Sequence, residues 1–172
     1  YTSREVTAYY ARVLENDVPL ALDVIADILL NPVFDEDEIE IERGVILQEI
    51  GQALDTPDDV IFDWLQETAY PDHPMGCTIL GPTERVSAFT QADLRKFVGQ
   101  HYGPEQMILS AAGSVDHDAL VKMAEELFGH MTPTPKFDLA PAKFVGGDFR
   151  QKKSLEQAHF ALGFESPGYR AD

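Results

Sequence analysis

The sequence predicts an α+β fold: a mainly antiparallel sheet layered with helices, truncated at the N-terminus and followed by the first strands of a second, similar domain. Three observations carry that expectation. The opening run is rich in Thr, Tyr and Val and free of Gly and Pro, a composition that suits pleated backbone. Several later segments combine capping residues with apolar positions at helical spacing. A proline-rich stretch near residue 131 then separates them from two further strand-like runs.

In order along the chain, Thr2 to Val13 reads as a strand. Asn16 or Asp17 can cap a following helix with Pro19 in its first turn, and Leu22, Ile25, Ile28 and Leu29 share one face before Asn31-Pro32 stops it. Asp35 and Glu38 stand at capping-box spacing ahead of a long helix from Glu36 to about Leu54, with Ile39, Val45, Ile46 and Ile50 as its apolar positions. Gly44 inside that helix costs about 1 kcal/mol relative to Ala, which points to a close neighbour or a bend, the former preferred.

Thr56-Pro57-Asp58-Asp59 starts another helix bearing Val60, Ile61, Trp64 and Leu65. Tyr70-Pro71 to Gly81-Pro82 is a loop, and Thr90 to Tyr102 is a short helix ended by Gly103-Pro104. Met107 to Ala112 reads as a buried strand. Asp116 caps a helix with Leu120, Met123, Ala124 and Leu127 on one face and Gly129 at its end. Residues 1–130 are thus the later part of one domain, 131–143 a semi-stiff linker, and 144–172 the start of a second domain with strands at 144–150 and 158–165. The chain opens without Met and inside a strand-like run, so both ends read as cuts in a longer protein.

The 172 residues can bury roughly 70% of the surface of the unfolded chain, enough for a real core. Thirty acidic residues face 13 basic ones, and the net charge of -17 repels phosphate backbones, which excludes nucleic acid as a partner. A cationic peptide or a metal suits that field, and so does the plainer role of a solvated surface. No apolar run is long enough to span a bilayer, so no membrane insertion is expected. Cys77 is the only cysteine, so no internal disulfide forms.

No P-loop, dinucleotide glycine motif or nucleophile elbow is present. The five histidines (His73, His101, His117, His130 and His159) include no pair at i, i+4, so no complete local zinc motif exists. Cys77 beside His73 lacks the further partners of a thiol nucleophile and reads as inert. Glu42 and Glu49 lie two helical turns apart on one face, and Glu49, among Val45, Ile46, Leu47 and Ile50, is expected to be partly buried and in need of a cation, a metal or several donors. The alternative is a helix-edge glutamate with a Lys or Arg neighbour.

Three strings appear in order: Tyr-Thr-Ser-Arg-Glu-Val-Thr-Ala-Tyr-Tyr-Ala (1–11), Glu-Arg-Gly-Val-Ile-Leu-Gln-Glu-Ile (42–50) and Thr-Ile-Leu-Gly-Pro-Thr-Glu (78–84). With residues 111–117 and 144–149, they resemble the inverted-motif zinc metalloproteases of the insulinase and pitrilysin type, and within them the mitochondrial processing peptidase β-subunits and their bacterial relatives. In that family an H-x-x-E-H helix supplies two histidine ligands and the general base. The resemblance implies that this helix lies upstream of Tyr1, that Glu49 is the remaining zinc ligand, and that Glu42 supports the site. It further implies that Asp59 and Asp63, at i, i+4, hold a basic substrate residue. Tyr1, Thr2 and Ser3 would end the edge strand onto which an extended peptide adds. Asp59 favouring its helix N-terminus and Tyr1–Ser3 being a plain sheet strand are the alternatives.

The expected function is therefore a piece of a zinc metalloendopeptidase that cleaves extended peptides or presequences with a basic residue near the cut. The piece alone is expected to be inactive and without zinc. Possible partners are a second copy or a related subunit, and the expected location is the bacterial cytoplasm, with the mitochondrial matrix as the alternative. Two other readings stand beside it: a non-catalytic homologue serving as peptidase partner or respiratory-complex core scaffold subunit, and an acidic protein-interaction domain.

Overall fold

A computed structural model describes residues 1–135 and 140–168. Residues 136–139 of the expected linker and 169–172 of the expected second domain lie outside the described residues. Among the described residues six α-helices follow one another: α1 (Val18–Leu30), α2 (Glu36–Asp55), α3 (Pro57–Ala69), α4 (Thr83–Ala88), α5 (Gln91–His101) and α6 (His117–Phe128). Single 3-10 turns occupy Glu15–Asp17, Pro74–Gly76 and Pro104–Gln106.

The expected α+β architecture is overturned. Helix makes up 51% of the described residues, and no β-strand or sheet occurs among them. The segments expected as strands, 2–13, 107–112, 144–150 and 158–165, are non-helical but unladdered. Composition specifies extended backbone, whereas a strand exists only when its N–H and C=O groups meet a neighbouring strand. Among the described residues the one pairing of this kind is that of Tyr1 with Ala8, and it does not extend into a strand. Residues 107–112 are also not buried: Ile108 is 94% exposed.

The chain packs into two compact units. The first comprises Tyr1, Thr7–Ile39 and Phe89–Asp138, and the second Thr2–Val6, Glu40–Ala88 and Leu139–Asp172.

In the first unit α1 packs against α6, and Leu22 and Ala26 of α1 are buried. Pro19 sits in the first turn of α1, and Asn31 closes the helix by donating its N–H and its Nδ2 to the carbonyl and carboxylate of Asp27, at 2.8 and 2.9 Å. Thr90 and Asp93 form a reciprocal capping box on α5. The Thr90 hydroxyl, 2.6 Å away, and then its backbone N–H hold the Asp93 carboxyl below the usual carboxylate range. Asp116 caps α6 through Ala119 N–H at 2.8 Å. Phe34 adopts φ 52, a left-handed conformation unfavourable for an aromatic residue. Gln91 Nε2 donates to its carbonyl at 2.6 Å, and the Arg95 guanidinium lies 5.7 Å from its ring centre, so neighbours hold the strained residue in place.

Tyr9 and Tyr102 share a hydroxyl–hydroxyl hydrogen bond of 3.0 Å in a cleft with Ile28, Leu29 and Phe97. Burial, and then the Tyr9 hydrogen bond, push the Tyr102 phenol up to about 12.

In the second unit Ile50, Val60, Ala69 and Val86 are buried. The N-cap of α3, Thr56, makes no side-chain cap; its hydroxyl instead donates to Gln52 O at 2.7 Å. Helix α4, unanticipated in a stretch rich in loop residues, starts on the Pro82 carbonyl, which accepts from Arg85 and Val86. The Arg43 guanidinium binds Glu40 and also donates to the Val86 carbonyl. Residues 140–149 run along α3: Val145 N–H donates to Ala69 O at 2.8 Å, Trp64 meets Phe149 at 5.1 Å between ring centres, and Tyr70 meets Phe144 at 6.0 Å.

The expected close packing at Gly44 is absent, because a Cβ built there meets nothing within 4 Å. At Gly103 the same atom would lie 2.0 Å from Thr134 Oγ1. Gly44→Ala should therefore raise the unfolding free energy by about 1 kcal/mol, and Gly103→Ala should lower it by about 1–3 kcal/mol, both read from denaturant melts.

Tyrosine absorbance titration should show one phenol ionising near 12. The pKa raised in the folded state contributes stability that is fully present below the unfolded value of about 10 and is lost as pH rises through the folded value. Tyr9→Phe should move that phenol's midpoint downward.

Candidate functional site

Glu42 and Glu49 both stand on α2, seven residues and about 10.5 Å apart along the axis. Both are exposed, so the expectation that Glu49 is partly buried is corrected. The reason lies in the helical phase: Ile50 carries the buried face, Ile46 and Leu47 are half-buried, and Glu49 is turned about 100° from Ile50. Neither carboxylate makes an ion pair with another described residue, so the Lys or Arg neighbour that would make Glu49 an ordinary surface pair is not found among them.

Among the described residues no three His, Cys, Asp or Glu side chains are grouped to hold a metal ion. Zinc needs three or four protein ligands. The described residues alone therefore do not form a zinc cage.

Asp59 lies in the first turn of α3 and is exposed, whereas Asp63, one turn on, is half-buried. The structure gives Asp63 a partner that the sequence did not suggest: Arg4 Nη2 donates to its Oδ1 at 2.7 Å, with side chains 23% and 32% exposed. The two residues are 59 positions apart, and the only sequence signal is that Arg4 is the one cation among the first eleven residues.

The segment that precedes Arg4 is bent. Ser3 N–H donates to Val6 O at 2.8 Å, and the Ser3 hydroxyl bonds Val6 as well, closing a tight turn with Arg4 at its corner. In the first unit the Tyr1 amine and carbonyl are both taken by Ala8, at 2.8 and 2.9 Å. Of Tyr1, Thr2 and Ser3, it is Thr2 whose main-chain groups make no bond to another described residue.

His73 is a structural anchor: Nδ1 accepts from Met75 N–H at 3.1 Å, so Nε2 donates to Ala140 O at 2.9 Å. Cys77 is exposed, its Sγ 3.9 Å from His73 O. No helix among the described residues is long and apolar enough to cross a membrane.

Comparison with known proteins bears on this arrangement. Residues 1–83 match the model described as insulinase (peptidase family M16), and residues 88–172 match that described as the peptidase M16 inactive domain. The chain is 44% identical over 98% of its length to a Rickettsia bellii protein named "Uncharacterized zinc protease", covering 41% of it. It is 40% identical over 98% of its length to the Bos taurus mitochondrial-processing peptidase subunit beta, covering 35%. The chain thus spans about two-fifths or less of the curated relatives it matches. Among solved structures, a putative M16-like peptidase from Alicyclobacillus acidocaldarius superposes at TM-score 0.61 and 25% identity, over 75% of this chain and 30% of that one. A chain of Candida albicans complex III with Inz-5 bound does so at TM-score 0.68 and 21% identity, over 78% and 33%, which is a likeness of fold alone.

Proposed function

The chain belongs to the M16 peptidase family, and on that premise we propose that the protein containing it is a zinc metalloendopeptidase that cleaves extended peptides or presequences with a basic residue near the cut. The observation that carries the reading is Glu49: an exposed carboxylate that makes no ion pair among the described residues, in a chain similar to proteins named zinc proteases.

In this reading Glu49 is one zinc ligand and Glu42 supports it from two turns away. The histidine ligands and the general base come from outside residues 1–172. Zinc, when bound, supplies Lewis acidity to the scissile carbonyl and makes its bound water acidic. Asp59 and Asp63 take the guanidinium or ammonium of the basic residue, since a paired carboxylate matches a charge-assisted contact. Tyr1 to Ser3 form the edge for the peptide main chain, with Thr2 offering the unbonded groups. Residues 1–130, 131–143 and 144–172 act as first domain, linker and start of a second domain. A related subunit or second copy is the proposed partner, in keeping with a relative named as a subunit. The bacterial cytoplasm is the proposed location, in keeping with the bacterial relatives.

The intact protein should bind about one zinc per chain, measured by atomic absorption. Glu49→Gln should lose both metal and peptide hydrolysis; full activity in that variant removes Glu49 from the site. Glu42→Gln should lower activity or zinc affinity by about 10 to 100-fold, while residues 1–172 alone should show no chelator-sensitive hydrolysis.

A further inference from the structure

The Asp63 carboxylate proposed for a substrate cation already holds a cation of its own chain. Arg4 follows directly on Thr2 and Ser3, and the Ser3–Val6 turn presents its side chain to α3. The contact is one-pronged: Nη2 meets Oδ1 at 2.7 Å, and Oδ2 accepts from no described residue. Arg4 Nε is buried and has no hydrogen-bond partner among the described residues. A guanidinium with a buried, unused donor is imperfectly satisfied, and a carboxylate with a free oxygen can still receive a second guanidinium. Both side chains keep part of their surface in solvent, so a newcomer can reach them. Asp59, one turn earlier on the same face, is exposed and has no such partner among the described residues.

We propose that Arg4 is a specificity-determining residue, an internal counter-ion of Asp63 that the basic side chain of an incoming peptide displaces in order to engage Asp59 and Asp63 together. The inference rests on the assignment of those two aspartates to substrate. With Arg4 in place the cluster of Asp59, Asp63 and Arg4 carries one net negative charge, so it accepts a single cation and resists neutral side chains only weakly. An arriving arginine offers a planar fork that a carboxylate can receive with two parallel bonds, a geometry Arg4 does not reach. Displacement then costs one monodentate ion pair and gains a bidentate one. Released from Asp63, Arg4 can turn to solvent, because its side chain is already partly exposed.

The test uses the full-length protein and two fluorescein-labelled peptides that differ only in one arginine replaced by norleucine, with dissociation constants taken from fluorescence anisotropy. The readout is the preference for the arginine peptide over the norleucine peptide. Arg4→Gln should raise that preference by about fivefold, the size of a partly exposed ion pair removed from competition. Arg4→Lys keeps the charge and should stay near the unmodified protein. A lower preference in Arg4→Gln would make Arg4 a support for Asp63 and overturn the proposal, as would an equal shift in both variants. Asp59→Asn/Asp63→Asn separates the two levels. If it leaves the preference unchanged, the aspartates do not read the basic residue and the proposal falls with them. If it abolishes the preference while Arg4→Gln matches the unmodified protein, only the role of Arg4 is lost.

Discussion

A main-chain N–H or C=O that leaves water needs a partner, and where these residues find theirs decides most of what the chain looks like. Inside the helices the partner is four residues away. In the extended segments it must come from another piece of chain, and among the described residues that piece is a helix end, a turn or nothing. Val145 docks on the last carbonyl of α3, Ser3 turns back on Val6, and Tyr1 closes on Ala8. The same requirement separates a β-propensity from a β-sheet: a run of Thr, Tyr and Val prefers extended dihedrals, but a ladder is a relation between two segments.

That distinction explains which parts of the fold were legible. The helices were, because their signals are local. The start at Thr90, the cap by Asp116 and the stop at Asn31 all act within a few residues of where they are read. The turn of α4 was missed, since Gly81, Pro82 and Thr83 serve a loop and a short helix start equally well. That no sheet forms among the described residues was not legible, because no residue states whether a distant backbone will lie beside it. Gly44 was misread for a related reason: a glycine in a helix has a local cost, but whether a neighbour justifies it depends on packing.

The site divides along the same line. Which carboxylates share a face follows from 3.6 residues per turn, so Glu42 with Glu49 and Asp59 with Asp63 were found together in the sequence. Their environments were not. The burial inferred for Glu49 failed because apolar neighbours in sequence occupy other angles around the helix, and Ile50 alone of them turns fully inward. The ion pair between Arg4 and Asp63 joins two elements far apart in the chain, and no spacing rule reaches that distance. Long-range electrostatic partners are the class of information that a folded chain adds.

The solitary thiol of Cys77 has a practical consequence. It sits in the loop just beyond the 3-10 turn that His73 caps, open to solvent and with no second cysteine to form an intrachain bridge. Within residues 1–172 a maleimide dye attaches at that one position, giving an optical reporter next to the Pro74–Gly76 turn without any engineered site. For the same reason two molecules can couple through this sulfur in air, and stock solutions need a reductant to keep the reporter position available.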